Sequence, residues 1–254
     1  MITHLNICVS TNKMLLDDLR AGITYPDGYT IYTSFQSGGY GQIGNSWESE
    51  EGKNLLFSML IRPSQVAASE QFFISEAISL AIYEYLSKET GHITIKWPND
   101  IYYKDKKIAG ILIENNLTGA NIKDSVIGVG LNLNQDIFIS DAPNPVSLKN
   151  ITGKTYNIAY VLNTIRSNFL RLYNLGVTDR DSLHHIYMKH LLNFGVEASY
   201  SDGDGEFSGT ITAVSPDGHL HITDTGGKER IYAFKEVAFK TPLPTVHCQL
   251  STVH

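Results

Sequence analysis

The strongest constraint on the fold is a change of pattern late in the chain. In the first three quarters, apolar strand patterns alternate with long segments of helical periodicity, of which residues 64–89 are the clearest. The remainder holds short strand patterns at close spacing, separated by glycine turns. This change predicts a larger domain of mixed helices and strands at residues 1–194 and a small β-barrel at residues 195–240. Residues 241–254 contain two prolines and are predicted to be a flexible tail.

Composition and charge exclude several classes of protein. The 254 residues include 20 basic and 26 acidic side chains, so the formal net charge is −6. That charge argues against binding nucleic acid or an anionic membrane through bulk attraction. Cys8 and Cys248 are too few for a disulfide framework or a cysteine metal site. Because no signal-peptide pattern and no apolar run of about 18 residues is present, we expect a soluble, cytoplasmic protein.

A glycine cluster follows the strand pattern at residues 29–35. Four glycines fall within seven residues, at Gly38, Gly39, Gly41 and Gly44. Such a backbone can approach a ligand closely, and its successive N–H groups can bind phosphate or carboxylate. The spacing fits neither a P-loop nor the dinucleotide-binding fingerprint. A mobile surface loop explains the glycines equally well, so this cluster alone does not decide the function.

Two further motifs carry polar residues, one at a strand end and one inside a strand. In residues 96–100, a proline predicts a turn that presents Lys96 as a phosphate partner and Asp100 as a Mg²⁺ ligand. Lys107 enters an apolar strand, where its ammonium group needs an anion or water. Gly110 in the same strand predicts close packing on the backbone. Each feature also has a structural explanation: a polar turn, an edge-strand lysine and a β-bulge.

Together, the order and spacing of these motifs are specific, and residues 5–135 resemble biotin protein ligases. The C-terminal part resembles them more loosely. No helix-turn-helix segment precedes the catalytic pattern, so we expect the ligase-only type rather than a repressor. The segments that carry the resemblance are residues 10–12, 36–47, 52–58, 96–100, 107–114 and 128–132.

The resemblance implies both a fold and a reaction. The expected fold class is α+β, with a central mixed β-sheet and packed helices like those of class II aminoacyl-tRNA synthetases, followed by an SH3-like barrel. The expected enzyme uses ATP to convert biotin to biotinyl-5′-AMP with release of pyrophosphate. It then transfers the biotinyl group to a specific lysine of a biotin carboxyl carrier domain of a carboxylase. The resemblance implies Mg²⁺ with ATP, no tightly bound cofactor, and no DNA or membrane partner, and it leaves a homodimer open.

The resemblance also assigns roles to single residues. Lys107 and Asp100 are the expected catalytic residues, with Lys107 between the biotin carboxylate and the α-phosphate and Asp100 also a Mg²⁺ ligand. The expected biotin-binding residues are Ser10, Thr11, Asn12, Gln36, Gly39, Tyr40, Gly41, Lys107 and Gly110. The expected ATP-binding residues are Gln42, Gly44, Trp47, Lys96, Asn99 and Asn132.

Tyr40 departs from the pattern of the family, whose glycine loop usually reads Gly-Arg-Gly. The arginine helps to bind the anionic centre of the ligand, whereas a tyrosine offers one hydroxyl and no charge, and Gln42 is neutral as well. Three interpretations stand: Lys107 and the loop amides suffice, the tyrosine was introduced deliberately, or the ligase releases its intermediate more readily. We favour the third.

Two other functions stay open at this point. One is a lipoate or octanoate ligase of the same fold, although residues 96–100 together with Lys107 and Gly110 favour biotin. The other is a non-catalytic protein that binds biotin or its adenylate. Only Tyr40 favours that binder, because Lys107, Asp100 and Asn132 are all retained.

Overall fold

The fold is described from a computed structural model that covers residues 1–41, 46–63, 66–139 and 144–240. In these residues the strands are β1 (Ile2–Cys8), β2 (Thr30–Gln36), β3 (Leu55–Ile61), β4 (Ile93–Lys96), β5 (Asp100–Tyr103), β6 (Lys106–Thr118), β7 (Asn121–Leu131), β8 (Glu197–Asp202), β9 (Gly205–Val214), β10 (Leu220–Asp224), β11 (Glu229–Tyr232) and β12 (Ala238–Phe239). The helices are α1 (Thr11–Arg20), α2 (Phe72–Glu89), α3 (Leu148–Thr152), α4 (Ile158–Thr178) and α5 (Arg180–His190).

The first seven strands form one mixed sheet in the order β1-β2-β3-β7-β6-β5-β4. β1 and β2 are parallel, and the other neighbours are antiparallel. In the long β6–β7 hairpin, Gly110 lies opposite Gly130 and Leu112 lies opposite Gly128. The register therefore brings the two glycine-containing strand motifs side by side at the middle of the sheet.

Helices cover both faces of this sheet. α2 packs with α4 and α5, and 13 of its 18 residues are buried, which fits a helix at the centre of a core. β3 shows the two faces directly, because Met59 belongs to the large core while Leu60 packs into a smaller cluster with Leu15 and Leu16 of α1. The structure thus confirms the predicted α+β architecture with a central mixed sheet.

The last five strands form a second, antiparallel sheet in the order β11-β10-β9-β8-β12. The short strands predicted after residue 195 are therefore present. The two edge strands, β11 and β12, do not pair with each other in the described residues, so this sheet is open. Neither β12 nor α3 was predicted from the sequence pattern.

The long helix expected over residues 64–89 starts later than its pattern indicated. It begins at Phe72 after a 3-10 turn at Ala68–Glu70, and residues 64–65 lie outside the described part. Residues 66–68 are held instead by the β6–β7 hairpin, since Ile122 N donates to Val66 O and Ala68 N donates to Ala120 O. Pairing with a strand prevents these residues from joining the helix. The expected tail at 241–254 also lies outside the described residues.

None of the helices in the described residues is long and apolar enough to cross a membrane.

Candidate active site

A cavity of about 350 Å³ lies above the β6–β7 hairpin. Most of the predicted site residues meet there, although they come from segments far apart in sequence. Gly39 and Asn132 do not line it, and Gln42 and Gly44 lie outside the described residues. The predicted residues that line the cavity are Ser10, Thr11, Asn12, Gln36, Tyr40, Gly41, Trp47, Lys96, Asn99, Asp100, Lys107 and Gly110.

One end of the cavity begins at the N-terminus of α1. Ser10 caps this helix, and its hydroxyl accepts a hydrogen bond from Lys13 N at 3.4 Å. The cap brings Thr11, which is buried, next to the end of β2. Gln36 Oε1 accepts hydrogen bonds from Thr11 N at 2.8 Å and from Thr11 Oγ1 at 3.1 Å. These bonds fix the amide orientation of Gln36, because its oxygen must face the two donors of Thr11.

Asn12 extends this network across the sheet. Its Nδ2 donates to Leu112 O at 3.2 Å and to Glu114 Oε2 at 2.9 Å, and its Oδ1 accepts from Ser58 Oγ at 2.5 Å. The Asn12 amide lies directly against Gly128, where a Cβ would overlap it. Gly128 is therefore required for the position of Asn12. The sequence motifs included Ser58 and Glu114, but neither had been singled out for a role.

Trp47 forms the floor of the cavity. Its indole lies against Gly110 and Gly130, and a Cβ on either glycine would overlap the ring. This contact confirms that something packs closely on the backbone at Gly110. Within the described residues, the indole Nε1 is buried and has no hydrogen-bond partner, so it can donate to a ligand.

Lys107 and Asp100 form an ion pair at the side of this floor. Lys107 Nζ lies 2.7 Å from Asp100 Oδ1, and the two side chains are 28% and 20% exposed. The lysine in the apolar strand therefore meets an anion, as predicted. Its Nζ is also 5.7 Å from the centre of the Trp47 ring. A ligand in the cavity would therefore meet the ammonium group of Lys107, whose positive charge is partly neutralised by Asp100.

Lys96 lies between two aromatic rings at the far end of the cavity. Its Nζ is 4.7 Å from the ring centre of Tyr102 and 5.4 Å from that of Phe239. Burial lowers the pKa of Lys96, and the charge of Asp100 opposes this shift. An anionic ligand near Lys96 would stabilise its charged ammonium group, which burial disfavours. This position therefore favours binding of negative charge.

Tyr40 reaches from the glycine loop to β6. Its hydroxyl donates to Glu114 Oε2 at 3.0 Å. Burial, and then the charge of Glu114, raise the pKa of Tyr40 to about 12, while a hydrogen bond with Ser10 opposes the shift. The phenol is therefore protonated and neutral at physiological pH, and it brings no positive charge to the place where the family has an arginine.

Residues of the C-terminal part complete the wall. The resemblance implies contacts from residues 207–239 at this site, but it singles out no residue among them. Phe234, Lys235 and Phe239 line the cavity, as do their neighbours Val237 and Ala238. Trp97 ties this wall to the large sheet, because its Nε1 donates to Gly218 O at 2.9 Å and its ring lies 5.9 Å from that of Phe234. No local motif marks residues 234–239, since the fold alone brings them to the site.

Asn132, expected among the ATP-binding residues, is almost fully buried and does not line the cavity. Its backbone N–H donates to Ile108 O at 2.9 Å. Its Oδ1 is buried and has no hydrogen-bond partner in the described residues. The amide therefore keeps an acceptor available, although it does not face the cavity in this structure.

Sequence and structure comparisons add to this geometry. Residues 6–132, half of the chain, match the biotin/lipoate A/B protein ligase family. The chain belongs to this family. It is 27% identical over 222 residues to the bifunctional ligase/repressor BirA of Bacillus subtilis, a match that covers 82% of this chain and 65% of that protein. The chain thus spans just under two thirds of the length of this relative.

Two other similar proteins are matched over most of their own length. A biotin–[acetyl-CoA-carboxylase] ligase of Paracoccus denitrificans is 26% identical over 208 residues, which cover 78% of this chain and 85% of that protein. The structure of a biotin protein ligase from Aquifex aeolicus in complex with biotin and ATP is similar in fold. It has a TM-score of 0.77 and 24% identity, and the match covers 94% of this chain and 98% of that one.

Proposed function

We propose that this protein activates biotin with ATP to form biotinyl-5′-AMP and then transfers biotin to a lysine of a biotin carboxyl carrier domain. One observation carries the proposal. A single cavity joins a hydroxyl and amide cradle at Thr11 and Gln36 to a lysine–carboxylate pair at Lys107 and Asp100. The hydroxyl and amide cradle suits a small polar ring, and the lysine–carboxylate pair suits a reacting carboxylate and phosphate. The biotin ligases among the relatives support the same reading.

The first step explains why a lysine is needed. A carboxylate oxygen of biotin attacks the α-phosphorus of ATP, and the bond from that phosphorus to the β-bridging oxygen breaks. Pyrophosphate leaves with the electron pair. Because nucleophile and phosphate are both anionic, a cation between them lowers their repulsion. Lys107 is proposed for this role, and Asp100 holds its ammonium group in position.

The remaining cavity residues are proposed to bind and orient the two substrates. Ser10, Thr11, Asn12, Gln36 and Gly110 surround the biotin ring, with the loop residues Gly39, Tyr40 and Gly41 above it. For the nucleotide end we propose Trp47, Lys96 and Asn99, which line the cavity. Gln42 and Gly44 lie outside the described residues and Asn132 lies outside the lining, so for these three the role at ATP rests on the resemblance alone. Closing the glycine loop would exclude water, which would otherwise hydrolyse the mixed anhydride.

Mg²⁺ is proposed to enter with ATP rather than to occupy a site built by the protein. Among the described residues, no group of three or more His, Cys, Asp or Glu side chains could hold a metal ion. Asp100 is a single carboxylate, which fits an ion that keeps water and phosphate oxygens as its other ligands. The ion would neutralise phosphate charge.

Several wider expectations also remain proposals. We propose that residues 195–240 form a separate domain related to SH3-like barrels and that residues 1–194 resemble class II synthetases. The barrel is supported by a cluster of rings that joins both edges of the open sheet, in which Tyr200 lies 5.3 Å from Phe239 and Phe207 lies 6.1 Å from Tyr232. We also propose a cytoplasmic location, and the resemblance leaves a homodimer open.

The deciding experiment mixes the purified protein with biotin, MgATP and a biotin-acceptor domain. Labelling is followed with streptavidin, and pyrophosphate release is measured in parallel. We expect the wild-type protein to label the acceptor and Lys107→Ala to lose both signals. Lys106→Ala serves as a matched control, because Lys106 is the exposed neighbour on the same strand.

The other outcomes separate the alternatives. Labelling with lipoate or octanoate in place of biotin would identify the rival ligase. Pyrophosphate release without acceptor labelling would indicate an enzyme that loses its intermediate. Biotin binding without either product would contradict the proposal and leave a non-catalytic binder.

A further inference from the structure

Glu114 lies beside the polar end of the cavity without lining it. Leu112, two residues earlier on β6, does line the cavity, and because side chains alternate along a strand the two share a face. Glu114 Oε2 accepts hydrogen bonds from Asn12 Nδ2 at 2.9 Å and from the Tyr40 hydroxyl at 3.0 Å. Asn12 belongs to α1 and Tyr40 to the glycine loop, so one carboxylate oxygen holds two parts of the cavity wall.

The hydrogen bonds of Asn12 commit its amide to the protein. Its Nδ2 donates to Glu114 at 2.9 Å and to Leu112 O at 3.2 Å, and its Oδ1 accepts from Ser58 Oγ. Because an amide nitrogen has two protons, none is left to donate to a ligand. Gly128 closes the other side, where a Cβ would overlap the amide. Asn12 is therefore a fixed part of the cavity end, and its two acceptors on β6 decide which way the amide points.

The orientation of the Asn12 amide determines the hydrogen bonds further along. Ser58 is fully buried and has one proton for two neighbours, Asn12 Oδ1 at 2.5 Å and Thr11 Oγ1 at 2.7 Å. The amide oxygen has no proton of its own, so it takes the proton of Ser58. Thr11 then keeps its hydroxyl proton for an acceptor, and Gln36 Oε1 lies 3.1 Å away. Gln36 lines the cavity, and its Nε2 remains to donate to a ligand.

Tyr40 is oriented by the same carboxylate. A carboxylate only accepts, so Tyr40 must donate its one hydroxyl proton to Glu114. The phenol oxygen is then an acceptor, and it has a hydrogen bond with Ser10. Ser10 caps α1 directly before Thr11. The two series of hydrogen bonds that leave Glu114 therefore meet again at the start of α1.

Glu114 is the charged member of this closed network. A neutral amide or hydroxyl group can serve as donor or acceptor, whereas a carboxylate can only accept. The carboxylate therefore fixes the direction of the bonds that follow it in both series. The neutral members are Ser10, Thr11, Asn12, Gln36, Tyr40 and Ser58.

We propose that Glu114 is a positioning residue for biotin, which sets the direction of the hydrogen bonds at this end of the cavity without touching the substrate. The inference rests on the proposed function, and it assigns a role to a residue outside the cavity lining. The matching feature of biotin is the carbonyl oxygen of its ureido ring, an acceptor for Nε2 of Gln36. The far ends of lipoate and octanoate have no such oxygen, so the same direction favours biotin over either.

The test compares Glu114→Leu with Glu89→Leu by calorimetric titration of biotin without ATP. Glu89 is a matched control, because its Oε2 also accepts from a tyrosine hydroxyl, that of Tyr156 at 3.2 Å, and it lies outside the cavity lining. We expect Glu114→Leu to raise Kd for biotin by about tenfold or more, since two donors lose a charged acceptor. Glu89→Leu should bind biotin as the wild type does. Equal Kd values for wild type and Glu114→Leu would overturn the inference.

Glu114→Gln is the conservative variant. Its amide oxygen can replace Oε2 as the acceptor for both donors, so Kd for biotin should return to within about threefold of the wild-type value. If Glu114→Gln binds biotin as weakly as Glu114→Leu, the two hydrogen bonds are not the cause and the inference is wrong.

Two further readouts separate positioning from a general loss of structure. Tyr40→Phe removes one of the two bonds, so it should raise Kd for biotin in the wild type but have no further effect in Glu114→Leu. In the full reaction, Glu114→Leu should raise KM for biotin, while kcat and KM for ATP stay near wild type. A lower kcat with an unchanged KM for biotin would contradict the inference. If Glu114→Leu does not fold, Tyr40→Phe decides alone, and an unchanged Kd overturns the inference.

These measurements also distinguish failure of the inference from failure of the proposed function, because the titration needs neither ATP nor an acceptor domain. If wild type labels the acceptor and Glu114→Leu binds biotin equally well, the ligase stands and the role of Glu114 falls. If Glu114→Leu weakens biotin binding as expected but wild type forms no biotinyl-AMP, the positioning role stands and the ligase falls.

Discussion

The hydroxyl of Tyr40 and the side chain of Asn12 donate to the same oxygen, Oε2 of Glu114, at 3.0 and 2.9 Å. Asn12 continues through Ser58 and Thr11 to Gln36, each contact being a hydrogen bond. The glycine loop is therefore tied to the polar end of the cavity through one carboxylate. An arginine at position 40 would meet this carboxylate as a cation, whereas tyrosine meets it as a neutral donor.

Replacing Tyr40 with arginine should slow the release of biotinyl-AMP. A guanidinium adds charge-assisted contacts to the anionic adenylate, worth about 1.5–3 kcal/mol in a closed site. Because each 1.4 kcal/mol is about a factor of ten, we expect dissociation to slow by at least about tenfold. The rate is measured by chasing labelled biotinyl-AMP from the purified complex with unlabelled adenylate.

Tyr40→Phe is the matched control for this prediction. It keeps the ring but removes the hydroxyl that donates to Glu114, so it should not slow dissociation. Equal dissociation rates for wild type and Tyr40→Arg would show that the missing charge does not weaken retention. The tyrosine would then simply be tolerated.

Gly130→Ala should displace Trp47 from the floor of the cavity. The added Cβ would overlap the indole ring, which lies on backbone and cannot sink further. The protein has two tryptophans, and Trp97 is only 3% exposed, so a change of fluorescence reports mainly on Trp47. We expect a shifted emission maximum and weaker ATP binding. Gly91→Ala is the control, because nothing lies within 4 Å of its added Cβ. If Gly130→Ala and Gly91→Ala show the same emission maximum and the same ATP binding, the prediction is wrong.

Local sequence predicted the parts of this site that follow from strand chemistry. Lys107 needed an anion or water at its ammonium group, and Gly110 had to accept close packing; both are confirmed. These inferences worked because each concerns the immediate surroundings of one residue. The predicted start of α2 was wrong because it depends on distant contacts. Residues 66–68 pair with a hairpin more than fifty positions away in the sequence.

The residues that the sequence did not identify come together only through tertiary structure. Glu114 matters because Tyr40 and Asn12 converge on it, and neither lies near it in sequence. Lys235 and Phe239 reach the cavity because Trp97 anchors the second sheet. A single sequence carries no record of such contacts, so these residues could be found only from the fold.

Asn54→Ala should destabilise the protein without touching the cavity. Asn54 is fully buried, donates to Gln135 Oε1 at 2.6 Å and accepts from Leu133 N at 3.1 Å. Alanine would leave the buried Leu133 N–H without its acceptor, at a cost of about 1–3 kcal/mol. It would also remove one of the donors to Gln135 Oε1, which would still accept from Glu50 N. In urea unfolding, the variant should therefore have a lower midpoint concentration, while the slope of its unfolding free energy against urea concentration stays unchanged. Asn163→Ala, on the exposed face of α4, is the control, and equal midpoints for the two variants would contradict this account.

His184 of α5 and the buried Glu76 of α2 join these two helices. His184 Nδ1 lies 2.7 Å from Oε1 of Glu76, whose side chain is only 5% exposed. The hydrogen bond to Glu76 raises the pKa of His184, and burial partly opposes the shift. Because Glu76 holds the histidine in its charged form, the contact stabilises the folded protein most when the imidazole is protonated.

The stability difference between wild type and His184→Gln should therefore depend on pH. The folded pKa of His184 lies above the ordinary value of 6.5, so the stabilisation is complete below pH 6.5 and is lost as pH rises through the folded pKa. Wild type should exceed His184→Gln in Tm most clearly near about pH 5.5 and least near about pH 9. His185→Gln, at the exposed neighbouring histidine, should show a smaller pH dependence in the same thermal unfolding series. A wild-type advantage that grows with pH would mean that the pair is held in the neutral form of the imidazole.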